Sequence, residues 1–435
     1  MLLSFTVENF RSYTEATTLT MTRLKTVTPR PGSSWLDVTE RVAAIYGANA
    51  SGKTNLLDAI QALSLALRSP GAPVLWQPNA VAPEHPVVYS IDFLADGIRH
   101  SYELEAAPWG ISREALHSYP KGSRRLVFQR TQREAKEAAQ LEKGASLTGP
   151  TAAVWDITKP KSRSLLLATA RKYGHKILAP VADALTASLG INFITFRDRQ
   201  DEYVLRRTLY EMLDDPGQTD LVSALLRAAD VGIRGIKIDS KELPPEVVQR
   251  LQRLIEAFRE DDEPLPELPP NTHDVISFLH EDEDGKTFPL PIRRESAGTL
   301  TWLTTAWHTL NALRHGTLLL VDELDASLHP GLARYLVQLF LDSQTNPLGA
   351  QLIFTTHDVS LLGNSPTRLL EPRQVWFAEK DRSGRSELFC LDDFDNRVQN
   401  NNELRYLAGK FGAVPVIDET PLLSFISSDM VSADA

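Results

Sequence analysis

Hydrophobic and polar residues alternate at the start of the chain. Leu3, Phe5 and Val7 are separated by polar residues, and this period of two predicts a half-buried β-strand. A second apolar run, at residues 41–46, leads directly into the segment GANASGKT. The residues that follow place apolar side chains on one helical face, at positions 56, 57, 60, 63 and 67. Residues 41–68 are therefore predicted to form a strand, a glycine-rich loop and a helix.

Further patterns predict the elements downstream. Two short apolar runs, 318–321 and 351–355, are typical of strands buried on both faces of a parallel sheet. Helical spacing predicts helices at 164–189, 220–230, 245–259, 296–313 and 331–341, and residues 131–141 are charged and helix-prone. Hairpins are predicted at 87–104, 275–292 and 375–391. The acidic, proline-rich run at 260–270 is predicted to be an exposed linker, and no heptad pattern indicates a long coiled-coil arm.

Composition excludes several classes of protein. The 435 residues include 56 acidic and 46 basic side chains, so the net charge is −10 and any nucleic-acid contact needs a local basic patch. Such clusters occur at 121–133 and 159–176. One cysteine, Cys390, excludes an internal disulfide framework. The chain has no apolar run of about 18 residues and no signal-peptide pattern at its start, so we expect a cytoplasmic protein without membrane contact.

The segment GANASGKT matches the phosphate-binding loop G-x-x-x-x-G-K-T in full. Its glycines let the backbone curl around a phosphate chain, and the next helix directs its positive end at the same anion. Lys53 is predicted to bridge the β- and γ-phosphates of the bound nucleotide, and Thr54 to ligate Mg²⁺. A chance glycine-rich turn is the alternative, which the flanking strand and helix disfavour. The nucleotide-binding residues predicted here are Gly47, Asn49, Ala50, Ser51, Gly52, Lys53 and Thr54.

Polar residues follow both apolar strands, at the carboxyl edge where open α/β sheets bind ligands. Asp322, after the first strand, is predicted to hold the magnesium shell. Glu323 is predicted to act as the base that polarises the attacking water. His357, after the second strand, could hold that water near the γ-phosphate. Taken alone, each residue could also belong to an ordinary polar surface.

A helix start lies before the acidic strand. In the segment Glu295–Thr299 (ESAGT), Ser296 is a plausible N-cap and Gly298 permits a close backbone approach. From the local sequence, a simple helix cap is the better interpretation. The turn at residues 325–330 either lines a shared dimer interface or caps the next helix, and the sequence does not favour one of these.

Six motifs occur along the chain in a fixed order: ENFRSY, GANASGKTNLLDAI, ESAGT, DELDASLHP, TTHD and YLAGKFGAVP. With them the chain resembles the ABC-type ATPases of the SMC/RecF branch, and more narrowly the AAA-family ATP/GTP phosphatase group of RloA-like and abortive-infection ATPases. The resemblance adds Asn55 to the nucleotide-binding residues. It implies that Ser296 and Gly298 offer a helix N-terminus to the γ-phosphate bound by a second subunit. It also places Arg11 near the nucleotide, where a solvated arginine is the alternative.

The resemblance implies an α/β fold, with a P-loop NTPase core of ABC-ATPase type, a mixed sheet flanked by helices and a helical insertion. The expected parts are an N-terminal ATPase lobe at 1–158, the insertion at 159–270, a C-terminal ATPase lobe at 271–417 and a flexible tail at 418–435. It further implies a homodimer or higher homo-oligomer that encloses ATP and Mg²⁺. The implied role is an ATPase switch in bacterial antiphage defence, which controls a separate nuclease or toxin encoded nearby.

Departures from related families narrow the prediction. The signature serine is followed by Ala-Gly-Thr, not by the Gly-Gly-Gln of transporters, which argues against a transport subunit. Too few residues follow His357 for a TOPRIM nuclease domain. The alternative that stays open is a RecF-like DNA-binding repair ATPase, which needs a basic face.

Overall fold

The computed structural model describes residues 1–23, 29, 32–69, 75–190, 192–195, 212, 219–229, 232–242, 245–257, 272–394, 400–415, 419, 420 and 423. The predicted linker at 260–270 and most of the predicted tail lie outside these residues. The chain divides into two compact units. Unit 1 comprises residues 1–195, 311–326 and 333–435, and unit 2 comprises residues 196–310 and 327–332. The predicted boundary after residue 158 falls inside unit 1, and the four-part division stays a prediction.

The first sheet of unit 1 is antiparallel and has seven strands. Its order is β2-β1-β4-β5-β6-β7-β8. The strands are β1 (Leu2–Glu8), β2 (Thr17–Thr20), β4 (Val87–Ala95), β5 (Ile98–Ala107), β6 (Gly110–Ser118), β7 (Arg125–Thr131) and β8 (Gln140–Lys143). The alternation predicted for the chain start is confirmed, because Phe5 and Val7 are fully buried.

The second sheet of unit 1 has six strands in the order β16-β15-β3-β14-β13-β9. The strands are β3 (Val42–Tyr46), β9 (Asn192–Ile194), β13 (Leu318–Val321), β14 (Gln351–Thr355), β15 (Val375–Lys380) and β16 (Ser386–Cys390). All neighbours pair in parallel except β15 and β16. Strands β3, β13 and β14 are buried at every position, as expected for the centre of a parallel sheet. Their carboxyl ends therefore meet at one edge.

Helices complete unit 1. They include α1 (Trp35–Val38), α2 (Lys53–Arg68), α3 (Thr151–Thr158), α4 (Leu166–Lys172), α5 (Leu178–Ser188) and α10 (Asn402–Leu407). The single helix predicted at 164–189 is in fact two, because Gly174 adopts a left-handed φ of +64° and ends α4. Apolar faces of α2, α4 and α5 join the core that includes Phe5, Leu104 and Ile353.

Unit 2 contains a three-stranded antiparallel sheet of β10 (Ile233–Glu242), β11 (Thr272–Glu281) and β12 (Thr287–Pro291). Its helices are α6 (Thr219–Ala228) and α7 (Pro245–Ala257). Helix α8 (Ala297–His315) begins in the range of unit 2, and α9 (Pro330–Leu341) begins there as well. A small core includes Leu226, Phe278 and Trp307. The insertion is therefore not purely helical, since β10 lies within residues 159–270.

These elements confirm the predicted α/β fold class. The helix expected at 131–141 is wrong, because Arg130 and Thr131 pair with Leu141 and Gln140 across β7 and β8. Within the described residues the longest helix is α8, with 19 residues, and the absence of a long coiled-coil arm stays a prediction. None of the described helices is long and apolar enough to span a bilayer.

Candidate functional site

The loop between β3 and α2 has a backbone that few residue types can adopt. Ala50 and Gly52 have left-handed φ angles of +62° and +108°. A Cβ atom on Gly47 would lie 2.6 Å from Ser51 Oγ and would also overlap the carbonyl oxygen of Ala378. A Cβ atom on Gly52 would overlap the Ser386 side chain. Both positions therefore require glycine, and the loop is tightly enclosed on its protein side.

Lys53 folds back over this loop. Its Nζ atom donates hydrogen bonds to the carbonyl oxygens of Gly47, at 2.8 Å, and Ala48, at 3.0 Å. An ammonium group has three protons, so one further donor is available for an anion. Burial lowers the pKa of Lys53, and the charges of Asp322, Glu323 and Asp325 oppose this shift. The three carboxylates therefore favour the charged form of the lysine.

Asp322 joins the phosphate loop to the sheet edge. Thr54 Oγ1 donates to Asp322 Oδ1 at 3.0 Å, and Thr355 Oγ1 donates to the same oxygen at 2.7 Å. A hydroxyl beside a carboxylate supplies the hard oxygen donors that Mg²⁺ prefers. No group of three or more His, Cys, Asp or Glu residues suited to a metal occurs in the described part of the chain. The donor chemistry of Thr54 and Asp322 therefore fits Mg²⁺, which these two residues would hold.

Glu323 has an unusual backbone. Its φ is +56°, a left-handed conformation that is rare for a residue other than glycine. Its N–H donates to Thr355 Oγ1 at 2.7 Å, and the next N–H, of Leu324, donates to the Thr355 carbonyl at 2.9 Å. Two bonds to one residue of β14 therefore hold this turn after β13. Such strained residues are common at functional sites.

His357 belongs to the same group of charges. Its backbone N–H donates to Asp325 Oδ1 at 3.2 Å, and its side chain is exposed. Although the side chain is exposed, desolvation by the surrounding protein lowers the pKa of His357, and the charge of Lys53 lowers it further, against the effect of Asp325, Glu323 and Asp322. A lowered pKa favours the neutral imidazole, which can accept a proton or a hydrogen bond.

The other predicted residues divide into two groups. Asn49 and Ala50 lie exposed at the loop tip, Ser51 is buried, and Asn55 Nδ2 donates to Ser12 Oγ at 2.8 Å. Ser296 and Gly298 belong to unit 2. There Ser296 Oγ accepts the N–H of Thr299 at 3.0 Å, which is a helix cap. A Cβ atom on Gly298 would lie 2.8 Å from the carbonyl oxygen of Ser327, so glycine is needed at that position too.

Sequence reasoning missed the residues that support the phosphate loop from behind. Ser386 Oγ donates to the Ser51 carbonyl at 2.7 Å and lies 2.8 Å from Ser12 Oγ. Tyr13 OH donates to the Gly52 carbonyl at 3.1 Å. Arg11 contacts Asn55 and forms an ion pair with Asp58, so it is tied to α2. Arg11, Ser12 and Tyr13 belong to the FRSY motif, which gave the only sequence signal for this group. Ser386 gave none, because it lies 335 positions from Ser51 in the chain.

These features define the class of the protein. A P-loop nucleotide-binding site consists of a buried strand, a loop with left-handed backbone positions and a helix that begins at the loop lysine, here Lys53. The Thr–Asp pair at the edge of the parallel sheet completes the site. The chain belongs to the family described as "AAA domain, putative AbiEii toxin, Type IV TA system", whose model matches residues 42–363. That range includes the phosphate loop, Asp322, Glu323 and His357.

Two solved structures are similar in fold. One is an SMC head domain from Thermotoga maritima, with 12% sequence identity and a TM-score of 0.40, covering 89% of this chain and 98% of that chain. The other is an Smc head domain with an extended coiled coil, bound to the C-terminal domain of ScpA, from Pyrococcus furiosus. It has 13% identity and a TM-score of 0.39, covering 89% of this chain and 96% of that chain. No curated protein sequence matches the chain.

Proposed function

We propose that the protein binds ATP with Mg²⁺ and hydrolyses it. One observation carries this proposal: residues from three separate parts of the chain form one group at the edge of the parallel sheet. They are Lys53, Thr54, Asp322, Glu323 and His357. Lys53 would bind the β- and γ-phosphates, and Thr54 and Asp322 would hold the metal. When bound, Mg²⁺ neutralises charge on the phosphates.

The protein groups then divide the work of hydrolysis. Glu323 takes a proton from the attacking water, whose oxygen forms a bond to the γ-phosphorus. The bond between that phosphorus and the β–γ bridging oxygen breaks, and ADP and phosphate are released. Neutral His357 accepts a hydrogen bond and orients the water. The loop N–H groups and the α2 N-terminus bind the phosphate chain.

The proposal extends to an oligomeric switch. Ser296 and Gly298 lie at the start of α8, and in a head-to-tail homodimer this helix end would face the nucleotide of the partner subunit. Binding of ATP would close the dimer and hydrolysis would open it. The family description names a toxin–antitoxin system, which supports a role in bacterial antiphage or abortive-infection defence with a separate effector. We place this activity in the cytoplasm.

Steady-state ATP turnover tests the proposal. Lys53→Ala removes the phosphate-binding ammonium, and Glu323→Gln removes the base while keeping the shape of the side chain. We expect both to lower kcat by at least about 100-fold. Glu387→Gln makes the same change at an exposed position of β16 and is the matched control. Turnover by both site variants at the wild-type rate would contradict the assignment. Trapping of an ATP-dependent dimer by Glu323→Gln, measured by light scattering, tests the switch separately.

A further inference from the structure

Although the net charge of the chain is −10, several basic side chains of unit 1 line neighbouring clefts that do not include the phosphate loop. A cleft of about 410 Å³ is lined by Lys161, Arg163, Lys172 and Tyr173. It shares Lys172 with a second cleft of about 470 Å³, which Arg68 and Arg171 also line. It shares Arg163 with a third, of about 90 Å³, lined by Trp76. We call these three neighbouring clefts, which share Lys172 and Arg163 as lining residues, the basic groove.

The central cations of the basic groove are available to a ligand. Lys161, Arg163 and Lys172 are exposed, and none has a carboxylate within ion-pair distance among the residues that the structure describes. Arg171 does pair with Asp183, at 2.6 Å. Burial lowers the pKa of Arg68, and the nearby positive charge of Arg171 lowers it further. Asp183 also lines the second cleft, so the uncompensated positive charge lies at the first cleft, where Lys161, Arg163 and Lys172 repel one another. This arrangement favours a bound polyanion at the first cleft.

The loop that carries two of these cations is held rigidly from beneath. Arg130 is fully buried and donates to the Ser164 carbonyl, and also to those of Lys161 and Ser162 at 3.4 Å. Glu114, 3.9 Å from Arg130 and equally buried, accepts the N–H groups of Leu166, at 2.7 Å, and Leu167, at 2.9 Å. A buried ion pair is costly to form and contributes little net stability. What the structure shows is that these two side chains bind the backbone of residues 161, 162, 164, 166 and 167.

Aromatic rings border the cations. Tyr173 is 55% exposed, and its ring centroid lies 5.8 Å from Lys172 Nζ. Trp76 is half-buried in the third cleft, beside Arg163. A groove of cations with accessible aromatic faces fits a ligand that alternates phosphates with flat bases. The carboxylates of an acidic peptide would pair with the cations, but they would not stack on the aromatic rings.

We propose that the basic groove binds single-stranded nucleic acid, with Lys161, Arg163 and Lys172 on the phosphates and Tyr173 stacked on a base. This inference goes beyond the proposed ATPase function and does not depend on it. The groove reaches Arg68 in the last turn of α2, the helix that begins at the phosphate loop, about 24 Å away along its axis.

Fluorescence anisotropy with the full chain tests this proposal, using labelled 20-nucleotide oligo-dT and oligo-U as probes. We expect Tyr173→Ala to weaken binding at least about five-fold, since stacking on an aromatic ring contributes strongly per base. The double variant Lys161→Ala/Lys172→Ala should lower the slope of log Kd against log salt by about 1.4, because two phosphate contacts are lost. Preference for one probe identifies DNA or RNA as the ligand, and both results support the groove.

Lys136→Ala/Lys143→Ala is the matched control, because it removes two exposed lysines that do not line the groove. This control should bind like the wild type. Thermal melting of each variant establishes that it is folded. Three outcomes would overturn the proposal: no binding of either probe by the wild type, equal loss in the control and groove variants, or poly-glutamate competing as well as the oligonucleotides.

Discussion

Thr355 provides the sharpest test of how the site is held together. Its hydroxyl is fully buried, donates to the Asp322 carboxylate at 2.7 Å and accepts the N–H of Glu323 at 2.7 Å. Thr355→Val keeps the shape of the side chain and removes both bonds. The bond to a carboxylate contributes about 1.5–3 kcal/mol, and the partly buried bond to Glu323 about 0.5–1.5 kcal/mol. We expect the free energy of unfolding to fall by about 2–4.5 kcal/mol.

Thr355→Val should also lower the rate of ATP turnover, by more than the loss of folding stability alone would cause. Without the Thr355 hydroxyl, the strained turn at Glu323 can relax and Asp322 loses one of its two threonine donors. Loss of such a supporting group typically lowers metal affinity or activity 10- to 100-fold. We therefore expect ATP turnover to fall at least about 10-fold and the Mg²⁺ concentration for half-maximal activity to rise.

A matched variant separates positioning from stability. Thr169→Val also removes a buried threonine hydroxyl, but that group donates only to the Leu165 carbonyl within α4, at 2.8 Å. It should lower stability by about 1 kcal/mol and leave turnover unchanged. Urea unfolding and ATP turnover at several Mg²⁺ concentrations measure both quantities. If Thr355→Val hydrolyses ATP as fast as Thr169→Val, the argument that β14 positions the acidic pair is refuted.

Three further predictions follow from the same geometry. Gly52→Ala places a methyl group against Ser386 in a left-handed backbone, and should abolish binding of a fluorescent ATP analogue; Ser386→Gly in the same chain should restore part of it, and no loss in Gly52→Ala would contradict the enclosed loop. Because the charge of Lys53 contributes to the lowered pKa of His357, Lys53→Met should raise that pKa toward its ordinary value, as measured by NMR titration, whereas an unchanged pKa would separate the two residues. Arg130→Met removes the counter-charge of buried Glu114 and should destabilise the protein by about 3–5 kcal/mol in urea unfolding; Arg130→Met/Glu114→Gln, which removes the carboxylate but keeps an acceptor for the N–H groups of Leu166 and Leu167, should recover part of this, and a double variant less stable than the single one would show that the pair stabilises the fold.

Most strands and helices of the fold could be predicted from local sequence patterns. The runs at β3, β13 and β14 are short and almost wholly apolar, so their burial in a parallel sheet could be predicted from the sequence. Residues 131–141 could not, because their helix-forming composition is overridden by the pairing of β7 with β8. The break between α4 and α5 depends on the single Gly174.

The candidate site shows the same division. Lys53, Thr54, Asp322 and Glu323 sit in motifs whose residue types and order reveal their chemistry. Ser386 lies in no such motif, and Thr355 lies in TTHD without a role that its residue type reveals, because each supports the site through contacts with residues distant in the chain. Ser386 reaches Ser51 across 335 positions, and Thr355 reaches Asp322 across 33. A serine or threonine at the end of a strand is also common on ordinary protein surfaces, so the residue type alone does not indicate a supporting role.

Binding of a triphosphate by the loop around Lys53 is the central claim, and titration calorimetry tests it directly. A non-hydrolysable ATP analogue with Mg²⁺ is titrated into the full wild-type chain and into Lys53→Ala. We predict saturable heat with one nucleotide per wild-type chain, and an affinity at least about 10-fold lower for the variant, which lacks a charged hydrogen-bond donor. No heat with the wild type, or equal affinity in both proteins, would contradict the claim.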